Sequence, residues 1–187
     1  MLCGMVRTRT RDEILVAAAE LFTHHGFKGT SLQDIAAGVG CSKATLLYHF
    51  ESKEAILTEL VAPAAQELAD LVAYLTTLEA AAAQEAAIEG FVDLVLRYRR
   101  EAALIYDGTP QFLDQPMFAG LRPLTDTLCA TFAGRSTDRA ECVAAEVLLS
   151  GIAGVVIDKA VDDGDDVLRR ALVDVAKRAL ITPHPKD

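Results

Sequence analysis

The stretch SLQDIAAGVGCSKATLLYHF, residues 31–50, decides the fold. Leu32, Ile35, Ala36 and Val39 recur at helical spacing and predict a short helix that Gly40 ends. Two registers compete for its start: Thr30 with Gln33 fits a capping box, and Ser31 with Asp34 offers another. Ser42 then caps a further helix carrying Lys43 through Phe50. Two helices joined by so tight a turn must cross steeply. Ala36 supplies the small residue where they touch, and Gly40 the backbone freedom of the turn. Such a pair is a helix-turn-helix, whose second helix lies across the major groove of DNA. Ser42, Lys43, Ala44, Thr45 and Tyr48 give that helix a mixed polar surface, while Leu46 and Phe50 face inward.

Upstream, Ile14, Ala18, Leu21 and Phe22 form one apolar stripe and predict a helix from about Arg9 to His25. Asp12 and Glu13 suit its positive end. Gly26 is a left-handed stop, with Phe27 placed to fold back on the last turn. Downstream, Ser52 caps a long fourth helix with Leu57, Leu60, Ala64, Leu68, Leu71 and Leu75 in near-heptad spacing, interrupted by Pro63. Further helices are expected over roughly 84–101, from near Pro116 after a break at residues 108–110, and over 138–160 and 166–181. An acidic turn at 162–166 separates the last two.

Composition agrees with an all-α fold. Apolar residues make up 51%, aromatics are few, tryptophan is absent, and alanine and leucine dominate over alternating β-branched runs. Cys3, Cys41, Cys129 and Cys142 form no CxxC pair and are expected to be reduced thiols; Cys41, in the turn, suits a small hydrophobe better than a switch. No metal-ligand spacing appears around His24, His25 or His49, and neither cofactor nor catalytic residue is expected. A nucleophile–base pair, a GxSxG turn and a phosphate loop are all missing, so an enzyme is the weakest class. No export signal is visible and no continuous apolar run approaches the ~20 residues of a membrane span. The expectation is therefore a cytoplasmic protein without a membrane partner.

The net charge of −9 argues against a nucleic-acid partner only until it is divided. Residues 1–53 hold six basic and five acidic side chains, and the remainder holds 12 basic against 22 acidic. The acidity belongs to the rear of the chain, and DNA meets only a local face. Arg7, Arg9 and Arg11 fit equally a solvated tail or an arm reaching the duplex.

From Arg11 through Leu57 the chain resembles the TetR family of transcriptional regulators. The resemblance is carried by Leu21-Phe22, Gly26-Phe27, Thr30-Ser31, Ile35-Ala36, Gly40-x-Ser42, Tyr48-His49-Phe50 and Ser52-Lys53-Glu54. It implies a helix-turn-helix DNA-binding domain at 1–50 and a larger helical effector-binding and dimerisation domain at 51–187. It also implies a homodimer, most often a repressor, that binds a pseudo-palindromic operator and is released by a small-molecule effector. Thr30, Ser31, Thr45, His49 and Lys53 would then hold phosphates, and Lys43, Ala44 and Tyr48 would lie nearest the base edges. Leu47 departs from the tyrosine common in the family, and offers a sugar or a thymine methyl an apolar contact instead.

The rear of the chain must pair and sense. Ala144, Leu148, Gly151, Gly154 and Val155 form a stripe whose small residues permit close helix approach, and Ala171, Leu172, Val175 and Ala179 form another. A dimer interface and a monomer core both fit these stripes, and the family's four-helix pairing favours the interface. Tyr74, Phe91, Tyr98, Tyr106, Phe112, Phe118 and Phe132 with Met117 suit an adaptable effector pocket, or an ordinary core. Asp93, Arg97 and Arg100 would orient a polar ligand if they turned inward.

Overall fold

The computed structural model describes residues 2–106, 118–158 and 165–181, with side chains from residue 10 onward and without that of Tyr106. Nine α-helices and no strand occur among the described residues. They are α1 (Leu2–Gly29), α2 (Leu32–Val39), α3 (Lys43–His49), α4 (Lys53–Thr76), α5 (Ala80–Arg97), α6 (Arg99–Tyr106), α7 (Leu121–Phe132), α8 (Arg139–Ile157) and α9 (Asp165–Leu180). The chain divides into two compact units. One comprises residues 1–63 with 103–118, and the other residues 64–102 with 119–187. Helix α4 contributes Lys53–Pro63 to the first unit and its remaining residues to the second.

In the first unit, Ile14, Ala18 and Phe22 of α1, Ile35 and Ala36 of α2, Leu46 and Phe50 beside α3, and Ile56 and Leu57 of α4 are buried. These are the apolar stripe positions of four amphipathic helices, and removing them from water drives the unit together. Gly26 leaves the helical region at φ 72°, ψ 160°, a conformation that favours glycine, and Phe27 then packs on Phe22 with ring centroids 5.2 Å apart. Helix α1 begins at Leu2, earlier than the apolar periodicity predicts.

The second unit packs α5 against α7, α8 and α9. Ala83, Ala87, Ile88, Val92 and Val95 of α5 form its central buried stripe, opposed by Leu128, Phe132, Ala145, Ile152, Val156, Leu168 and Ala176. The helix expected over 84–101 divides at Tyr98, which caps α5 in a non-helical conformation before α6 starts. Arg135, itself at φ 60°, donates to the carbonyls of Leu75 and Leu78 and so holds the C-terminal end of α4. Among the described residues α8 alone is long and apolar enough to cross a membrane, with 22% of its most apolar window buried. Arg139, Glu141 and Glu146 interrupt its run in sequence, which is why continuity alone does not reveal it. The break at 108–110, the start near Pro116, and Phe112 and Met117 lie outside the described residues.

Candidate nucleic-acid interface

Ser31 decides the register of α2. Its hydroxyl accepts from the Asp34 N–H (3.2 Å), while its own N–H donates to Asp34 Oδ2 (2.8 Å), a reciprocal capping box. The Ser31 hydroxyl bonds that hold Asp34 also keep its carboxyl below the usual carboxylate range. A lowered folded-state value means that the cap stabilises above the ordinary carboxylate range and fades as pH falls through the lowered value. Gly40 closes α2 at φ 74°, ψ 26°, and the Cys41 N–H returns to Ala36 O at 2.9 Å. Ser42 then caps α3 by accepting the Thr45 N–H at 3.0 Å.

This sequence of caps fixes which way α3 faces. Leu46 is fully buried and Phe50 nearly so, which leaves Ser42, Lys43, Ala44, Thr45, Leu47 and Tyr48 on the outer face. Tyr48 is 64% exposed, and Leu47 42%. His49 is half-buried and meets the Tyr48 ring edge-on at 5.3 Å. The helix is seven residues long, with no acidic residue in its first turn. Lys43 at its N-terminus, with Thr45 and Tyr48, presents donors to any surface laid against it.

Three of the residues expected to hold phosphates are used differently. Thr30 is 2% exposed, and its hydroxyl is directed at the carbonyls of Gly26 (3.0 Å) and Leu21 (3.2 Å). It closes the end of α1, so its side chain is withdrawn as a phosphate ligand. The Ser31 hydroxyl is exposed but belongs to the cap. The Lys53 ammonium donates to Phe27 O (2.5 Å) and Thr30 O (2.7 Å) and lies 4.3 Å from the centre of the Phe27 ring. Lys53 thereby ties α4 to the α1–α2 junction. Thr30→Val is expected to lower the stability of the head by about 1 kcal/mol in urea unfolding, with little effect on its salt-dependent DNA affinity. A loss of DNA affinity at unchanged stability would return Thr30 to the phosphates.

Arg11, left open between tail and arm, forms a bidentate ion pair with Glu59 and lies over the Phe50 ring at 4.8 Å. It braces α1 against α4 from beneath α3.

Residues 14–60 match the family model for bacterial regulatory proteins of the tetR family. Over this stretch, about a quarter of the chain, the head is similar to the TetR family of regulators. The head is 45% identical over 51 residues to the biofilm operon icaADBC HTH-type negative transcriptional regulator IcaR of Staphylococcus aureus, a match spanning 27% of each chain. It is 40% identical over 60 residues to the HTH-type transcriptional repressor KstR2 of Mycobacterium tuberculosis, spanning 32% of this chain and 30% of that one. The similarity thus covers less than a third of these relatives' length. In fold the likeness is wider. A TetR-like transcriptional regulator from Rhodococcus sp. RHA1 superposes with a TM-score of 0.67 at 22% identity, over 93% of this chain and 97% of that one.

The second unit revises the pocket expected from sequence. Tyr74 is 55% exposed and is withdrawn as a lining residue. Phe91 packs edge-on against fully buried Phe132 at 5.8 Å, the geometry of a core pair. Tyr98 is half-buried, and a hydrogen bond to Glu67 pushes its phenol up. Phe118 is buried and belongs to the first unit. Asp93 and Arg97 are both engaged in ion pairs. Asp93 holds Arg169 of α9 (2.5 and 2.8 Å), Arg97 holds Glu67 (2.6 Å), and Glu89 holds Lys177 (2.5 Å). Such part-exposed pairs are worth roughly 0–1 kcal/mol each, and they register α5 against α9 and α4 more than they stabilise. Arg100 is exposed.

Valines stand exposed on α8 and α9 among charged side chains such as Glu141, Glu146, Arg170 and Asp174. Val143, Val147 and Val155 of α8 and Val167 and Val175 of α9 are exposed, Val147 by 63%. Ala144, Leu148 and Leu172 are half-buried beside them. A side chain built on Gly151 or Gly154 would meet nothing within 4 Å. Val143, Val147 and Val167 were missed in the sequence. Their four-residue spacing with Gly151 and Ala171 is the signal that finds them.

Proposed function

We propose that the protein is a transcriptional repressor that binds a pseudo-palindromic DNA operator as a homodimer and leaves it when a small molecule binds the second unit. The observation that carries the DNA reading is the outer face of α3, where Ser42, Lys43, Ala44, Thr45, Leu47 and Tyr48 stand exposed above buried Leu46 and Phe50. Two heads must reach successive major grooves, ~34 Å apart, so the chain has to pair. The exposed valines of α8 and α9, with Gly151 between them, support pairing through those helices. A two-fold interface repeats the same patch on both copies, which lets one apolar face cover its twin. Helix α4 continues from one unit into the other, so an effector that moves it alters the spacing of the heads.

The functional test is a footprint of the purified protein across its own genomic neighbourhood, followed by affinity measurements on the protected site. Absence of any protected site, with only salt-sensitive binding to all sequences, would overturn the operator reading. On the protected site Lys43→Ala is expected to cost about 1–3 kcal/mol per half-site and to change random-DNA binding little. Equal loss on both would make Lys43 a backbone contact.

A further inference from the structure

We propose that Arg11 is a positioning residue for DNA binding: paired with Glu59, it clamps Phe50 and so sets the direction of α3 without touching DNA. The proposal rests on α3 being the helix that meets the operator. All three residues belong to the first unit. Helix α3 is seven residues long, and Leu46 is its buried position. Two turns of helix are too short to keep their own direction in water, so the ends must be held from outside. The N-terminal end is held by the Gly40 turn and the Ser42 cap. The C-terminal end is Phe50, which is 3% exposed and whose N–H donates to Leu46 O at 2.9 Å.

Arg11 lies on that aromatic ring. The centre of its guanidinium stands 4.8 Å from the ring centroid, and both of its terminal nitrogens donate to the Glu59 carboxylate. A planar guanidinium can stack and fork at once, which a lysine ammonium cannot. Buried Ile14 and Ala18 anchor α1 beside Arg11, and buried Ile56 and Leu57 anchor α4 beside Glu59. The clamp therefore joins the last turn of α3 to two helices fixed in the core. The same contacts argue against Arg11 as a phosphate ligand, because a carboxylate already fills the fork that a phosphate would take.

Loosening the clamp lets α3 sample other directions. If the docking direction then holds in about one molecule in ten, specific affinity falls about 10-fold for each head. Random DNA is held through its phosphates and needs no alignment with base edges, so it should sense little of this.

The test uses the full chain with Arg11→Lys, which keeps the charge, with Glu59→Gln, and with both. Amide exchange is read first, without DNA. In Arg11→Lys, residues 46–51 should exchange about 10-fold faster while residues 14–22 keep their protection. On the protected operator Arg11→Lys should bind about 10-fold more weakly for each head, with random-DNA affinity and salt slope unchanged. Glu59→Gln separates the two roles by sign. A clamp predicts weaker operator binding, because the guanidinium loses its anchor; a phosphate ligand predicts tighter binding to all DNA, because the carboxylate no longer competes. The double variant should be no worse than either single one, as expected of residues acting as a unit. Unchanged exchange at 46–51, lost protection throughout the first unit, equal losses on operator and random DNA, or tighter binding by Glu59→Gln would each overturn the proposal. A wild-type chain that protects no operator would sink the operator reading instead, and the exchange result tells the two failures apart.

Discussion

Gly151→Leu is expected to turn the paired chain into a helical monomer with little specific affinity for DNA. In one copy the position is open, since a side chain there meets nothing within 4 Å, and the change should leave the monomer's own packing intact. In the proposed dimer the same position would meet its twin across the two-fold axis. Overpacking a close helix contact costs about 1–3 kcal/mol, and symmetry doubles it, which weakens the dimer by roughly 30-fold to 10⁴-fold. Circular dichroism should be unchanged, sedimentation should report a monomer, and operator affinity should fall far more than affinity for random DNA. A variant that stays dimeric and binds normally would move the interface off this face of α8. Outright unfolding would return the glycine to the monomer core.

Lys53→Ala separates two roles for one ammonium. As a phosphate ligand, its loss would flatten the slope of log K against log salt by about 0.9 for each head. The geometry favours the other role, since the ammonium is already shared between Phe27 O and Thr30 O and lies over an aromatic ring. Charge-assisted bonds of this kind in a half-exposed setting contribute about 1–2 kcal/mol. The variant should lower the thermal midpoint of the head and weaken binding to all sequences, with the salt slope unchanged. Lys53→Met, which keeps a chain over Phe27 but not the two bonds, should fall between. A flattened slope at full stability would make Lys53 a phosphate ligand after all.

The two roles of Lys53 mark the limit of what its motif discloses. Ser52-Lys53-Glu54 announces a helix start and a positive charge near DNA, because both are local properties. That the charge turns back onto carbonyls 26 and 23 residues earlier depends on how α4 packs. Thr30 is similar. Its place before an apolar run makes it a candidate cap, but the cap is Ser31, whose backbone enters α2 in the extended form and whose hydroxyl takes the Asp34 N–H. The aromatics behind the head were harder. A ring at helical spacing fits a core, a pocket wall or a surface equally, and Tyr74, Phe91 and Phe118 divide among exposed, packed and buried positions.

The sequence by itself determined the helical class, the helix-turn-helix and the face of α3 that carries Lys43, Thr45 and Tyr48. Caps, turn glycines and a 3.6-residue period act within a few residues, so each is written where it works. The tertiary structure alone decided which hydroxyls and cations the head keeps for itself, and which valines of α8 and α9 stay uncovered. It also decided that Asp93 and Glu89 pair with Arg169 and Lys177 of α9. Those outcomes depend on partners tens of residues away, brought near by packing that no local pattern encodes.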